Sequence, residues 1–129
     1  MQNDIKILLA DDDDICQALF KKTLEKLEYF PVTCNNGEEV VEIFKKDQYN
    51  LIFLDMRMPL MDGPAAAKRI REDEVNKGSI KIIGLSGNTS DKDIKECFAS
   101  GMDDYLVKPI TKSKIIEIIK KHFPNGGLT

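Results

Sequence analysis

Short apolar runs of strand length alternate with segments of helical periodicity along most of the chain. The apolar runs cover residues 5–10, 30–34, 51–55, 80–85 and 105–107. This alternation predicts right-handed β-α-β crossovers and a parallel sheet covered by helices on both faces. The first, third and fourth runs are almost entirely apolar, which is typical of central strands buried on both sides. The sequence therefore predicts a doubly wound α/β fold of five parallel strands and five helices.

Helix boundaries can also be predicted from local signals. Helix starts are marked by Asp13 or Asp14, by Asn36-Gly37, by Asp62 followed by Pro64, and by Ser90. The third helix is expected to stop near Gly78 and the fourth at Gly101, and the fifth covers 110–123. The predicted buried stripe of the first helix is Cys16, Leu19, Phe20, Leu24 and Leu27. The predicted stripe of the fourth helix is Ile94, Cys97 and Phe98.

Bulk composition narrows the class of protein. The 129 residues predict one domain, with a core over about 5–123 and a tail or linker over 124–129. A net charge of -3 provides no basic field for direct nucleic-acid binding, and no apolar stretch is long enough for membrane insertion. The three cysteines lack metal-binding spacing, which favours reduced thiols and a cytoplasmic location.

Carboxylates directly follow two of the predicted strands. The first strand ends in Asp11 and Asp12, and the third ends in Asp55. Because the carboxyl ends of parallel strands meet at one edge of the sheet, we expect the three acids to lie close together. Two like charges about 4 Å apart repel by roughly 4 kcal/mol at an effective dielectric near 20, so such a cluster needs raised pKa values or a cation. Oxygen ligands without nearby histidine or cysteine favour Mg²⁺.

Polar residues also follow the fourth and fifth strands. Lys108 precedes Pro109, which restricts its backbone, and its ammonium is expected to neutralise Asp55 and then to hold a phosphoryl oxygen. Ser86 offers a hydroxyl to the same oxygens, and Gly87 leaves open space beside it. A carboxylate, a metal, a lysine and a hydroxyl around one point predict a phosphoryl-transfer site with Asp55 as the nucleophile.

In their order and spacing, these residues resemble the receiver domains of two-component response regulators. The resemblance extends over 5–123 and rests on Asp11-Asp12, Asp55, Met58-Pro59, Met61-Asp62-Gly63, Ser86 and Lys108-Pro109. It implies the flavodoxin-like (βα)5 fold with strand order 2-1-3-4-5. It also implies that Asp55 accepts a phosphoryl group from a phosphohistidine of a histidine kinase or a histidine phosphotransfer domain.

The resemblance further implies how the site is assembled. Mg²⁺, which Mn²⁺ can replace, would be bound by Asp12, Asp55 and the backbone carbonyl of Arg57, with Asp11 acting mainly through a water molecule. The peptide bond between Lys108 and Pro109 would be cis, which X-Pro bonds permit at modest cost.

The family's conformational switch is expected as well. Ser86 would move toward the phosphoryl group and Tyr105 would turn inward, which would change the surface of the fourth helix, fifth strand and fifth helix. That surface is also where a dimer is possible. The residues expected to flank the phosphoryl pocket and modulate dephosphorylation are Met56, Arg57, Gly87 and Asn88.

An exposed apolar residue beside the acids suggests where a partner docks. Ile15 falls off the predicted buried stripe of the first helix, and Ala18 and Ile110 are expected to extend the patch toward a histidine-bearing helix. A single exposed apolar residue is common, so an ordinary surface position is the competing interpretation.

Rival functions make different demands on the sequence. A flavin-binding domain needs a phosphate cradle after the first strand, where four aspartates would repel phosphate. A haloacid-dehalogenase-like phosphatase is the stronger alternative, but it carries an acid two residues after its nucleophile, where this chain has Arg57. We expect a stand-alone receiver, a phosphorelay intermediate or a segment of a hybrid histidine kinase. The run 85–88 and Gly126-Gly127 favour the last of these.

Overall fold

Five parallel strands form one sheet in the computed structural model, which describes residues 5–74, 79–87 and 90–124. The strands are β1 (Ile7–Ala10), β2 (Val32–Cys34), β3 (Leu51–Asp55), β4 (Lys81–Ser86) and β5 (Asp104–Val107). Their order across the sheet is β2-β1-β3-β4-β5, and every neighbouring pair is parallel. The predicted flavodoxin-like topology is therefore confirmed.

Within the described ranges, one helix follows each strand. The helices are α1 (Asp14–Lys26), α2 (Gly37–Phe44), α3 (Gly63–Asp73), α4 (Asp91–Ala99) and α5 (Lys112–His122). Each begins after a polar residue whose side chain accepts a hydrogen bond from a backbone N–H of the first turn. These N-caps are Asp13, Asn36, Asp62, Ser90 and Thr111. The predicted starts of the first four helices are confirmed, whereas α5 begins two residues later than the pattern indicated.

Two apolar cores cover the two faces of the sheet. Alternate residues of β1 point to opposite sides, so Leu8 packs under α2 and α3 while Leu9 packs under α1 and α5. Both side chains are fully buried. On the α1 side, the rings of Phe20 and Phe53 lie 4.7 Å apart between centroids. β1, β3 and β4 occupy the central positions that their apolar character predicted.

The predicted faces of two helices were partly wrong. Leu19 is 62% exposed, because α1 packs through Phe20 and Leu24, which turns Leu19 to the same side as Ile15. Phe98 is 47% exposed, since α4 is anchored by the buried Cys97 instead. Gly78, Asn88 and the tail beyond Pro124 lie outside the described residues.

Arg71 on α3 connects three separate parts of the fold. Its guanidinium donates to the carbonyl oxygens of Gly101 at 2.8 Å and Ile80 at 2.7 Å. It also pairs with Glu74 at 2.8 Å and Asp103 at 2.7 Å. The Glu74 side chain is only 1% exposed. Arg71 therefore ties α3 to the start of β4 and to the segment that joins α4 to β5.

Candidate functional site

Three carboxylates meet at the carboxyl edge of the sheet, as predicted. β1 and β3 are neighbours in register, with Ala10 opposite Leu54, so the residues that follow them emerge side by side. One carboxylate oxygen from each of Asp11, Asp12 and Asp55 lies within 4.8 Å of the other two. Asp11 and Asp55 are buried, whereas Asp12 is exposed.

The crowding of these carboxylates affects the pKa of Asp55. Burial, together with the neighbouring carboxyl of Asp11, raises the pKa of Asp55 to about 6. The backbone N–H of Arg57 donates to Asp55 Oδ1 at 3.2 Å and favours the ionised form. Additional positive charge near the carboxylate would favour ionisation further.

Lys108 reaches both buried acids from the end of β5. Its Nζ lies 3.1 Å from Asp55 Oδ2 and 3.3 Å from Asp11 Oδ2. Burial disfavours the ammonium charge, but the carboxylates of Asp55 and Asp11 outweigh it and raise the pKa of Lys108. The backbone N–H of Lys108 donates to the carbonyl of Ser86 at 2.8 Å, and the peptide bond to Pro109 is cis. One ammonium thus pairs with two of the three clustered carboxylates.

The donor set fits a hard divalent cation. The three candidate ligands Asp11, Asp12 and Asp55 are all carboxylates, and a single lysine leaves their combined charge negative. Oxygen donors in small number suit Mg²⁺ or Mn²⁺, which keep part of their water shell in such sites.

Hydrogen bonds between side chains and the backbone fix the loop that carries Asp11. Asp11 Oδ1 accepts from the N–H of Asp13 at 2.9 Å. The side-chain amide of Gln17 donates to the carbonyls of Asp11 at 2.9 Å and Cys34 at 2.8 Å. Gln17 therefore joins the ends of β1 and β2. Sequence analysis missed this role, because a glutamine that bonds to backbone carbonyls leaves no pattern in the sequence.

Two glycines let backbone segments pass close to the loop after Asp55. A Cβ at Gly63 would overlap the carbonyl oxygen of Asp55, and a Cβ at Gly37 would overlap that of Met61. The N–H of Gly37 also donates to the carbonyl of Met61 at 2.9 Å. The fold therefore confines the path of the β3–α3 loop between α2 and the start of α3.

The two predicted switch residues line the same small cavity. Ser86 is buried at the end of β4, and Tyr105 is half-buried on the neighbouring β5. Met56 and Cys97 also line this cavity. The ring of Phe98 meets that of Tyr105 edge-on, with centroids 6.2 Å apart. The cavity lies between α4 and the sheet, next to the candidate site.

Arg57 extends from the loop after Asp55 to α4. Its guanidinium pairs with Asp93 at 3.2 Å and Glu96 at 3.0 Å, and more loosely with Asp62 at 3.8 Å. Its exposed side chain therefore links the loop to the first turns of α4. Gly87 is exposed, and apart from its chain neighbours no described residue has an atom within 4 Å of a Cβ placed there; Asn88 lies outside the described residues.

The predicted docking residues differ in exposure. Ile15 is 73% exposed and Ala18 is also exposed, both on α1 beside the acids. Leu19 adds to this patch, because it lies one turn beyond Ile15. Ile110 is half-buried and packs partly against the core on the α1 side, so it contributes less apolar surface.

This fold and this acidic pocket define a phosphoacceptor receiver domain. The sequence model of the response regulator receiver domain matches residues 7–120, so the chain belongs to that family. It is 42% identical over 120 residues to hybrid signal transduction histidine kinase F of Dictyostelium discoideum. The match covers 91% of this chain and 11% of that kinase, so the chain spans about a tenth of its length.

Solved receiver structures agree with this assignment. The receiver of sensor histidine kinase PA1611 from Pseudomonas aeruginosa, solved with magnesium in its active-site cleft, is 26% identical with a TM-score of 0.84. The match covers 97% of this chain and all of that one. The Saccharomyces cerevisiae Ssk1 receiver, crystallised with the phosphotransfer protein Ypd1, is 28% identical with a TM-score of 0.85. There the coverage is 95% of this chain and 90% of the other.

Proposed function

We propose that Asp55 accepts a phosphoryl group from the phosphohistidine of a histidine kinase or a histidine phosphotransfer protein, in a reaction that needs Mg²⁺. The observation that carries this proposal is the placement of Asp55. It is a buried carboxylate held by Lys108 at 3.1 Å and crowded by Asp11 and Asp12. This arrangement supplies a nucleophile, a cation for the transferred group and ligands for a metal.

Different residues carry out the separate parts of the proposed phosphoryl transfer. A carboxylate oxygen of Asp55 forms a bond to phosphorus while the P–N bond to the donor imidazole breaks, and its electron pair stays on the nitrogen. Lys108 is released from its pairing and holds a phosphoryl oxygen, and Ser86 donates its hydroxyl to another. Asp12, Asp55 and the backbone carbonyl of Arg57 would hold a divalent ion, with Asp11 acting through a water molecule, and the ion would supply charge that offsets the carboxylates and the phosphoryl oxygens.

We assign the output of the switch to the surface of α4, β5 and α5. The cavity shared by Ser86 and Tyr105 supports this assignment, since movement of Ser86 toward the phosphoryl group would free space for the ring. Arg57 provides a second connection, because it bridges the phosphoacceptor loop and α4. Dimer formation through the same surface belongs to this proposal.

The relatives suggest the larger protein in which such a domain works. The matches to hybrid kinases support a receiver within a hybrid histidine kinase or a phosphorelay. No helix in the described ranges is long and apolar enough to cross a membrane. We place the domain in the cytoplasm because its three cysteines are free thiols, which reducing compartments preserve.

A haloacid-dehalogenase-like phosphatase remains the alternative. Such an enzyme needs a general acid two residues after its nucleophile, and Arg57 occupies that position here. Its guanidinium is engaged with Asp93 and Glu96 and cannot donate a proton usefully.

A small-molecule phosphodonor tests the proposed function directly. With acetyl phosphate and Mg²⁺, we expect one base-labile phosphoryl group per chain, detected by intact-protein mass spectrometry. Excess chelator should lower the rate at least about a hundredfold, because the metal offsets the charge of the acids and the donor. Continuous release of phosphate without a phosphorylated protein would instead indicate the phosphatase, and labelling unaffected by chelator would contradict the role of the metal.

The exposed patch on α1 yields a second prediction. The double substitution Ile15→Ala/Leu19→Ala should slow phosphoryl transfer from phosphorylated Ypd1 by roughly tenfold, because it removes apolar contact area at the rim of the site. Labelling by acetyl phosphate should not change, since that donor needs no docking surface. Phe30→Ala is the matched control, as Phe30 is 72% exposed but outside this patch. If Phe30→Ala slows the transfer equally, the effect is not specific to the α1 patch, and docking at that patch is contradicted.

A further inference from the structure

Lys114, in the first turn of α5, reaches back over the segment that joins β5 to α5. Its Nζ donates to the carbonyl oxygen of Val107 at 2.7 Å and to that of Pro109 at 2.9 Å. These two carbonyls belong to the residues immediately before and after Lys108. The ammonium of Lys114 therefore clasps the backbone on both sides of the lysine that faces Asp55.

The segment around Lys108 depends on such a contact. β5 lies at the edge of the sheet, where β4 is its one neighbouring strand among the described residues. The N–H of Lys108 is held by Ser86 at 2.8 Å, but Pro109 has no N–H to donate. The carbonyl oxygens of this turn can accept hydrogen bonds, and Lys114 donates to two of them.

Lys114 itself is fixed by the fold. Its backbone N–H donates to the hydroxyl of Thr111, the N-cap of α5, at 3.3 Å. The next residue, Ile115, is fully buried in the core on the α1 side. The clasp is thus anchored to a helix that is itself held on the sheet.

We propose that Lys114 is a positioning residue for phosphoryl transfer, which acts by holding the backbone from which Lys108 reaches Asp55. Lys114 pairs with the carbonyls of Val107 and Pro109 and acts only through Lys108. The proposal rests on the proposed roles of Asp55 and Lys108. A small displacement of a group that must meet the transferred phosphoryl oxygens lowers the rate strongly.

The rate of labelling by phosphoramidate, measured over a range of Mg²⁺ concentrations, tests this proposal. Lys114→Met should lower the rate at saturating Mg²⁺ by about ten- to hundredfold. The Mg²⁺ concentration that gives half of the maximal rate should not rise, because the three carboxylates are untouched. Lys114→Arg should restore most of the rate, since a guanidinium can also donate to two carbonyls. Lys112→Met, which removes the same charge two residues away, is the control.

Two further variants separate positioning from simple stability and from failure of the proposed function. Adding Lys114→Met to Lys108→Ala should cause no further loss, whereas an additive loss would overturn the proposal. Rates are divided by the folded fraction from circular dichroism, and Lys114→Gln provides a milder variant should Lys114→Met unfold. Equal rates for Lys114→Met and Lys112→Met would also overturn it. Absence of labelling in the unsubstituted protein, or full labelling of Lys108→Ala, would instead refute the proposed function itself.

Discussion

Substitution of Asp55 by asparagine is expected to abolish phosphoryl uptake, with a fall in rate of at least about a thousandfold, because loss of a nucleophile costs that much or more. The amide oxygen of asparagine is neutral and cannot form the acyl phosphate. The side chain keeps nearly the same size and can still accept from the N–H of Arg57. The loss should therefore reflect chemistry and not unfolding.

A stability measurement separates these two causes. The pKa of Asp55 is raised in the folded protein, so its charge opposes folding at pH values above that pKa. Without metal, Asp55→Asn should consequently unfold at higher denaturant concentration than the unsubstituted chain. Asp47→Asn is the matched control, since Asp47 is an exposed acid paired with Lys6 at 2.7 Å outside the acidic cluster. Persistent labelling of Asp55→Asn would assign the phosphoryl group to another residue.

The second large effect is expected at Arg71, where methionine should lower the free energy of unfolding by about 3 kcal/mol, at the low end of the range for a broken buried ion pair. The substitution leaves two carboxylates without their guanidinium partner, and the cost differs between them. Asp103 has a side chain 26% exposed and can regain water, whereas Glu74 is 1% exposed and cannot. The carbonyls of Ile80 and Gly101 lose a donor as well.

Chemical denaturation of matched variants measures this effect. Arg69→Met removes the same charge from the same helix, but Arg69 is about half exposed and its pairs are longer, at 3.7 and 3.8 Å. Its loss should cost at most about 1 kcal/mol. Adding Glu74→Leu to Arg71→Met should recover part of the stability, because it removes the buried unpaired acid. Equal losses for Arg71→Met and Arg69→Met would contradict the connecting role assigned to Arg71.

The topology and the acidic cluster could be predicted because both follow from local signals. Apolar runs identified the central strands, and a parallel sheet brings the residues after its strands to one edge. That rule predicts that Asp11, Asp55 and Lys108 lie together, as they do. The N-caps of the first four helices could be predicted as well, because a cap depends only on the first turn of its own helix.

The contacts that could not be predicted depend on distances across the folded chain. Helical periodicity predicts an apolar face but does not set how a helix rotates on the sheet, which is why the pattern predicts a buried Leu19 although this side chain is exposed. Gln17, Arg71 and Lys114 bond largely to backbone carbonyls of other segments. A carbonyl is present at every residue, so nothing in the sequence marks those as their partners.

The close passage of Gly37 and Gly63 beside the β3–α3 loop has a consequence for the speed of signalling. Since the fold itself prescribes the course of that loop, the arrival of an ion or a phosphoryl group does not have to reshape the main chain there. At this loop, activation then requires rotations of side chains alone, which are far quicker than rebuilding a loop. We therefore expect the rate of phosphorylation to be limited by encounter with the phosphodonor and by the transfer of the phosphoryl group.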